Sequence, residues 1–265
     1  MATNPLPHRT LGSGGPPIVL IHGFGADRTT WSYLLKPLAR ARQVIAFDLP
    51  GHGEAVDWSP TPDAVACAKA VIASLGALGV DRACLIGHSL GGAVASLVGL
   101  FQPALAERLI LLAPGGFGRE MNVPLLREYA ALTTEDEARA ILPSFFGPAS
   151  PVPDAMPRLV AEQHESAALR QSLQAIVGAI TKGDGQGVLP LDDLVAKGFP
   201  ITLAWGTEDG VLPVSHAIDA PALIARHLMR GIGHMPHIEA PETVERIVRL
   251  ALMGTLGDDA PAARG

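Results

Sequence analysis

Gly87-His88-Ser89-Leu90-Gly91 places one serine between two glycines, directly after the apolar run Ala83–Ile86 and at the start of a second apolar run. A strand, a sharp turn and a helix in that order lift a serine hydroxyl clear of a sheet edge. Side chains at Gly87 and Gly91 would collide with the neighbouring strand and helix. The N-terminus of the following helix points N–H groups at any negative charge that develops beside the serine. This chemistry is that of a nucleophile. A serine hydroxyl is weak at neutral pH, so it requires a base, and the base requires an orienting acid.

Nine histidines are available. His22, His52 and His88 belong to motifs at strand ends, where local hydrogen bonds hold such side chains. His8, His164, His216 and His227 have no supporting context. His234 lies in Gly231-Ile232-Gly233-His234-Met235-Pro236-His237, after a short strand-like piece and before the last helix. That position suits the base in the order Ser, acid, His. His237 is its close competitor, and Gly233 favours His234 by permitting a tight loop. The acid is expected after a strand and before the base. Asp209 in Trp205-Gly206-Thr207-Glu208-Asp209-Gly210 is the first choice and Glu208 the second. Asp48 precedes the nucleophile and reads as a turn residue. The stretch after Leu109–Leu112 offers no carboxylate, only Ala113-Pro114-Gly115.

His22-Gly23-Phe24-Gly25 follows the first apolar run. Its glycines allow close backbone approach. The N–H groups of Phe24 and Leu90 could therefore converge on one oxygen as an oxyanion hole.

The elements that must position these residues alternate along the chain. Strand-like runs occur at Ile18–Ile21, Val44–Phe47, Ala83–Ile86, Leu109–Leu112 and Ile201–Trp205, each short and free of polar residues. Such runs suit strands buried on both faces of a parallel sheet. Helix-spaced apolar residues recur at Ser32–Ala41, Asp63–Leu78, Leu90–Phe101 and Glu242–Met253. The alternation predicts a doubly wound α/β sheet, with ligands beyond the carboxyl ends of its strands. From Phe117 to Leu191 the chain is Pro-rich, with helical stretches at Leu125–Leu142 and Pro157–Thr181. It is expected to be a helical cap inserted into a core made of residues 1–116 and 192–265, with Gly183–Gly187 as a flexible return. Phe117, Met121, Phe145 and Phe146 are candidates to line an apolar pocket under the cap. Ordinary packing of the cap is the competing reading for all four. Met1–Pro7 and Gly254–Gly265 are expected to fray.

Composition narrows the function classes. Hydrophobic residues make up 48% and charged residues 17% of 265, which suits a packed globular chain. A net charge of −6 and no basic cluster beyond Arg40–Arg42 argue against a nucleic-acid partner. No apolar stretch has membrane-spanning length, and Met1–Gly15 lacks the pattern of a secretory signal. Two cysteines, Cys67 and Cys84, suggest neither a disulfide framework nor a metal site. The histidines lack metal-ligand spacing. The expectation is a cytoplasmic protein with no metal and no cofactor, acting on a small-molecule acyl substrate.

Together, the elbow, the acid, the base and the glycine loop resemble the α/β-hydrolase superfamily over about Leu11 to Leu252. Several runs are similar to the hydrolase-like catalytic domain of acetoin dehydrogenase dihydrolipoamide acetyltransferases: Gly14 to Gly25, Val44 to Gly53, Leu111 to Gly118 and Gly233 to Pro241. The third run is the most discriminating, because the others occur widely among esterases and carbon–carbon hydrolases. The resemblance implies the α/β-hydrolase fold, a triad of Ser89, Asp209 and His234, and Phe24 and Leu90 as oxyanion donors. Those transferases usually carry a lipoyl domain ahead of this core. Only about a dozen residues precede it here, so a swinging-arm role is not expected. Haloalkane dehalogenases and epoxide hydrolases of this fold use Asp at the elbow, which Ser89 excludes. The resulting expectation is a carboxylesterase-like serine hydrolase working through an acyl-Ser89 intermediate. A carbon–carbon hydrolase or acyltransferase on the same triad stays open. Many carbon–carbon hydrolases carry Asn where His88 stands. A ligand-binding protein of this fold is the non-enzymatic alternative.

Overall fold

The structure is a computed structural model describing residues 4–58 and 62–253. Strands β1 (His8–Leu11), β2 (Ile18–Ile21), β3 (Val44–Phe47), β4 (Ala83–His88) and β5 (Ala106–Leu112) enclose helices α1 (Ser32–Ala39), α2 (Ala64–Ala77) and α3 (Leu90–Phe101). Next come α4 (Val123–Ala130), α5 (Glu135–Ile141), α6 (Met156–His164), α7 (Ala167–Ile180) and a small hairpin, β6 (Thr181–Lys182) and β7 (Gly185–Gln186). The chain ends in α8 (Leu191–Val195), β8 (Ile201–Gly206), α9 (Ser215–Ile218), β9 (Ala225–Met229), α10 (Pro236–Glu239) and α11 (Pro241–Met253).

The main sheet runs β1-β3-β2-β4-β5-β8-β9, with β1 antiparallel and the rest parallel. This is the doubly wound sheet that the alternation of runs predicts. Its period of two is visible in the packing. Val19, Ile21, Ile45, Phe47, Leu85, Leu109 and Leu111 face one core, with α2 and α3. Ile18, Leu20, Val44, Ala46, Cys84, Ile86 and Ile110 face the other, with Leu34, Leu35 and Leu38 of α1 and Val244, Ile247 and Val248 of α11. Both faces are covered, which explains why the strand sequences lack polar alternation. The chain leaves β2 toward β3 and leaves β4 toward β5, in opposite directions. A crevice therefore opens between the carboxyl ends of β2 and β4, where such sheets bind ligands.

The structure departs from the sequence expectations in several places. β1 is an added antiparallel edge strand. Leu6, in the segment expected to fray, is fully buried, and its N–H donates to Ser74 Oγ at 2.9 Å. The Pro7 carbonyl likewise accepts from Asp48 N–H at 2.9 Å, while the parts of that expectation at 1–3 and 254–265 fall outside the described residues. The stretch Leu125–Leu142 is two helices, because Thr134 caps α5 and Glu137 returns the capping bond. Pro157–Thr181 is also two helices, with Ser166 capping α7. Gly183–Gly187 is not a flexible return. It closes the β6–β7 hairpin, and Gln186 is buried, bonding Gly116 N–H and the Gly118 carbonyl. Among the described residues, no helix is long and apolar enough to cross a membrane.

Gly91 marks the tightest point of the core near the crevice. A Cβ there would collide with the carbonyl oxygens of Ile21 and His22. Gly76, in α2, has nothing within 4 Å of such an atom. Gly91→Ala is expected to cost at least about 1–3 kcal/mol, whereas Gly76→Ala gains about 0.5–1 kcal/mol from helix propensity. Urea denaturation of the two variants checks the contrast, and equal stabilities would contradict it.

Candidate active site

Ser89 sits at the turn between β4 and α3 with φ of 52°, a left-handed conformation that a non-glycine residue rarely adopts. Such a residue stores about 1–3 kcal/mol of strain and persists only where its surroundings hold it. Here they do. Ser89 N–H donates to the Leu112 carbonyl at 3.0 Å, and its own carbonyl accepts from Gly92, Ala93 and Gly115. Gly87 admits no side chain because a Cβ would strike the Gly91 carbonyl. Both elbow glycines are thus required by backbone contact, as their spacing predicts.

The loop after β2 lies against this elbow. A Cβ on Gly23 would come within 2.7 Å of His88 Nδ1 and 3.1 Å of Ser89 Cβ. His22 and His52 brace the loop from behind. His22 Nδ1–H donates to the Gly23 carbonyl, and its Nε2 accepts from Leu49 N–H at 2.9 Å. His52 Nδ1–H donates to the Pro50 carbonyl, and its Nε2 accepts from Gly25 N–H at 3.1 Å. Gly25 N–H is thereby occupied. Among the described residues, the N–H groups of Phe24 and Leu90 have no protein acceptor. Phe24, Ser89 and Leu90 line one cavity.

The base and acid candidates meet at the neighbouring strand ends. His234 Nδ1–H donates to Asp209 Oδ2 at 2.8 Å, and the Asp209 side chain is fully buried. Asp209 Oδ1 accepts from Val211 and Leu212 N–H at 2.8 and 2.9 Å, so both oxygens are fixed. With Nδ1 occupied, Nε2 is the ring nitrogen free for the cavity that His234 shares with Ser89. Ser89 Oγ itself makes no protein hydrogen bond among the described residues. Nucleophile–base bonds are commonly long or misaligned without substrate. The rival residues are placed elsewhere. Glu208 is exposed and accepts from Thr207 Oγ1. His237 Nε2 bonds Thr30 Oγ1 at 3.0 Å, and its ring packs on Trp31. Asp48 is buried in its turn, paired with Arg28 and accepting from the N–H groups of Arg28 and Glu54.

The segment between β5 and β8 closes over both loops. Tyr129 of α4 donates its hydroxyl proton to the Gly25 carbonyl at 3.1 Å. The Phe145 carbonyl accepts from His234 N–H at 2.8 Å. Glu239 accepts from the N–H groups of Gly233, Met235 and Gly147 at 2.8–3.0 Å. Tyr129 and Glu239 escaped the sequence reading as site residues. Glu239 left a signal, a carboxylate one turn after the His234 loop, but one of its three partners, Gly147, comes from a distant segment.

Two cavities meet at Ser89. One, of about 310 Å³, is lined by Phe24, Ser89, Leu90, Leu97, Met121 and Leu189 among others. The second, of about 280 Å³, carries Phe24, Ser89, His234, Tyr129, Phe145 and Phe146. Met121 thus falls in the first cavity and Phe145 and Phe146 in the second, while buried Phe117 lines neither. Among the described residues, no cluster of three or more His, Cys, Asp or Glu side chains could hold a metal ion.

The profile of the alpha/beta hydrolase family matches residues 18–247. The dihydrolipoyllysine-residue acetyltransferase component of the acetoin cleaving system of Pseudomonas putida is 33% identical over 237 residues, 89% of this chain. The component of the same name from Cupriavidus necator is 27% identical over 243 residues, 92% of this chain. The chain spans 63% and 65% of the length of these two relatives. Among solved structures, the meta-cleavage product hydrolase of Pseudomonas fluorescens IP01 superposes with a TM-score of 0.83 at 21% identity, covering 93% of each chain.

Burial keeps the surrounding histidines neutral. It lowers the pKa of His22, His88 and His164, and brings those of His52 and His237 to about 3. In the unfolded chain these groups titrate near the ordinary value of about 6.5. Below that pH the unfolded state binds more protons, so stability is present above about 6.5 and lost as pH falls toward 3. Each histidine adds a slope of up to about 1.4 kcal/mol per pH unit in that window. Unfolding free energy is expected to be flat between pH 7 and 8 and to drop steeply from pH 6.5 to 5. Urea titrations at stepped pH measure this, and a constant value down to pH 5 would contradict it.

Proposed function

The chain belongs to the alpha/beta hydrolase family, and from that premise we propose that it is a serine hydrolase cleaving a carboxylic ester or related acyl compound. The observation that carries this reading is a histidine hydrogen-bonded to a buried carboxylate and sharing one cavity with Ser89. Ser89 Oγ attacks the substrate carbonyl while His234 Nε2 takes its proton. Asp209 holds the imidazole with Nδ1 protonated and stabilises the imidazolium without taking that proton. Negative charge on the former carbonyl oxygen is met by the N–H groups of Phe24 and Leu90. His234 then protonates the leaving alcohol, and the acyl group stays on Ser89. Water, deprotonated by His234, attacks the acyl-enzyme and releases the acid.

The two cavities divide the substrate. The leaving group receives its proton from His234, so it lies on the side of Tyr129, Phe145 and Phe146. The acyl group takes the cavity beside Leu90, lined by Leu97, Met121 and Leu189. Residues 117–191 act as a cap that supplies walls to both.

Acyl transfer is the second reading, favoured by the name of the 33% identical relative. The same acyl-Ser89 intermediate serves it, with a thiol replacing water in the last step. Adding a small dithiol to a turnover assay distinguishes the two, since transfer diverts product from free acid to thioester.

A fluorogenic short-chain ester is expected to be turned over by the wild type. Ser89→Ala and His234→Ala should lose at least about 10⁴-fold in kcat. Wild-type turnover no higher than these variants across an ester panel would favour a ligand-binding role instead. Phe146→Ala is expected to broaden the range of alcohols accepted while leaving the preferred acyl length unchanged. Met121→Phe should shorten the preferred acyl chain. Kinetics on esters varied at one end only measure each change, and an effect on the opposite end would contradict the division.

A further inference from the structure

The backbone that carries His234 is held from several sides: His88 Nε2–H donates to the His234 carbonyl at 2.7 Å, Gly231 N–H donates to Thr207 Oγ1 at 3.0 Å, and one carboxylate accepts from the N–H groups on both sides of His234. Glu239, half-buried in α10, accepts from Gly233 N–H at 2.9 and 3.0 Å, one to each oxygen, and from Met235 N–H at 3.0 Å. Those residues flank His234 on either side. The same carboxylate accepts from Gly147 N–H at 2.8 Å, and Gly147 belongs to the segment between α5 and α6. His234 N–H completes the junction by donating to the Phe145 carbonyl at 2.8 Å.

Close backbone packing makes this junction rigid. A Cβ on Gly233 would lie 2.5 Å from Gly147 N, and a Cβ on Gly147 would strike the Gly231 carbonyl. Residues 231–235 and 145–147 therefore form one block with the Glu239 carboxylate at its centre. Hydrogen bonds to a carboxylate are stronger than those between neutral groups. Among the described residues, the imidazole of His234 has one side-chain hydrogen bond, to Asp209. The direction of Nε2 is therefore set jointly by Asp209 and by the loop backbone that carries the ring. Phe145 and Phe146, on the other half of the block, line the cavity beside His234.

We propose that Glu239 is a positioning residue that sets the height and direction of His234 and fixes it to the Phe145–Gly147 segment. The proposal rests on the hydrolase reading of His234. Displacing a reacting group by about 1 Å can cost on the order of 10²-fold in rate. Loss of the carboxylate releases three N–H groups at once and lets the loop move, so the effect falls on kcat more than on KM.

The test compares wild type, Glu239→Ala, Glu239→Gln and Ser89→Ala. Activity is expressed per folded molecule from circular dichroism, and the downfield Nδ1–H proton resonance of His234 is recorded for each. Glu239→Ala is expected to lose about 10- to 100-fold in kcat with KM nearly unchanged, and to shift or broaden the resonance. Glu239→Gln keeps one acceptor oxygen and should recover part of both. Folded Glu239→Ala with wild-type kcat and an unshifted resonance overturns the proposal, as does a stability loss alone. Should wild type show no turnover dependent on Ser89, the hydrolase reading fails. The resonance then decides by itself whether Glu239 holds the His234 loop.

Discussion

The 2.8 Å hydrogen bond from His234 Nδ1 to Asp209 Oδ2 constrains the rest of the site. It joins the loops after β8 and β9, parallel neighbours whose carboxyl ends open on the same side of the sheet. Because Asp209 is buried and its other oxygen is taken by two backbone N–H groups, the imidazole has one tautomer and one orientation. Nε2 is left for the cavity shared with Ser89. Register between the two strands thus becomes the orientation of one ring, and a slip by one residue would turn Asp209 away.

A second constraint is neutrality. The His88 ring centroid lies 4.9 Å from that of His234 and 4.5 Å from that of His237, and His22 and His52 form a second pair at 5.0 Å. Positive charge on several rings this close would repel. Burial prevents it by holding His88 and His237 neutral at ordinary pH. His88 Nε2–H donates to the His234 carbonyl at 2.7 Å, which leaves its Nδ1 buried without a partner against Gly23. The strained Ser89 and the unpartnered His88 Nδ1 are chain neighbours, and each costs folding stability. Such features gather where a structure serves something other than its own stability.

The helices between β5 and β8 contribute more than walls. Tyr129 reaches the Gly25 carbonyl, and a Cβ on Gly25 would strike the Tyr129 ring. The Phe145–Gly147 stretch reaches the His234 loop on the other side. One inserted segment therefore touches both loops that flank Ser89. Its α4 and α7 pack together, so its position is set by its own core as well as by the sheet.

Short-range requirements were written in the sequence. The elbow at Gly87–Gly91 was legible because glycine is forced wherever backbones touch. The central strands were legible because two-sided burial removes polar residues from them. Order after strands nominated Asp209 and His234, with Glu208 and His237 as near rivals; the structure adds that His234 bonds Asp209, that Glu208 is exposed and that His237 bonds Thr30. The helix breaks at Thr134 and Ser166 were visible as capping residues, yet the apolar spacing runs on through both and masked them. The roles of Tyr129, Glu239 and Gly147, and the split of the pocket into two cavities at Ser89, were decided by tertiary structure alone. The Tyr129–Gly25 and Glu239–Gly147 bonds join segments about 90 or more residues apart, and local pattern carries no record of which distant backbone N–H or carbonyl a side chain will meet.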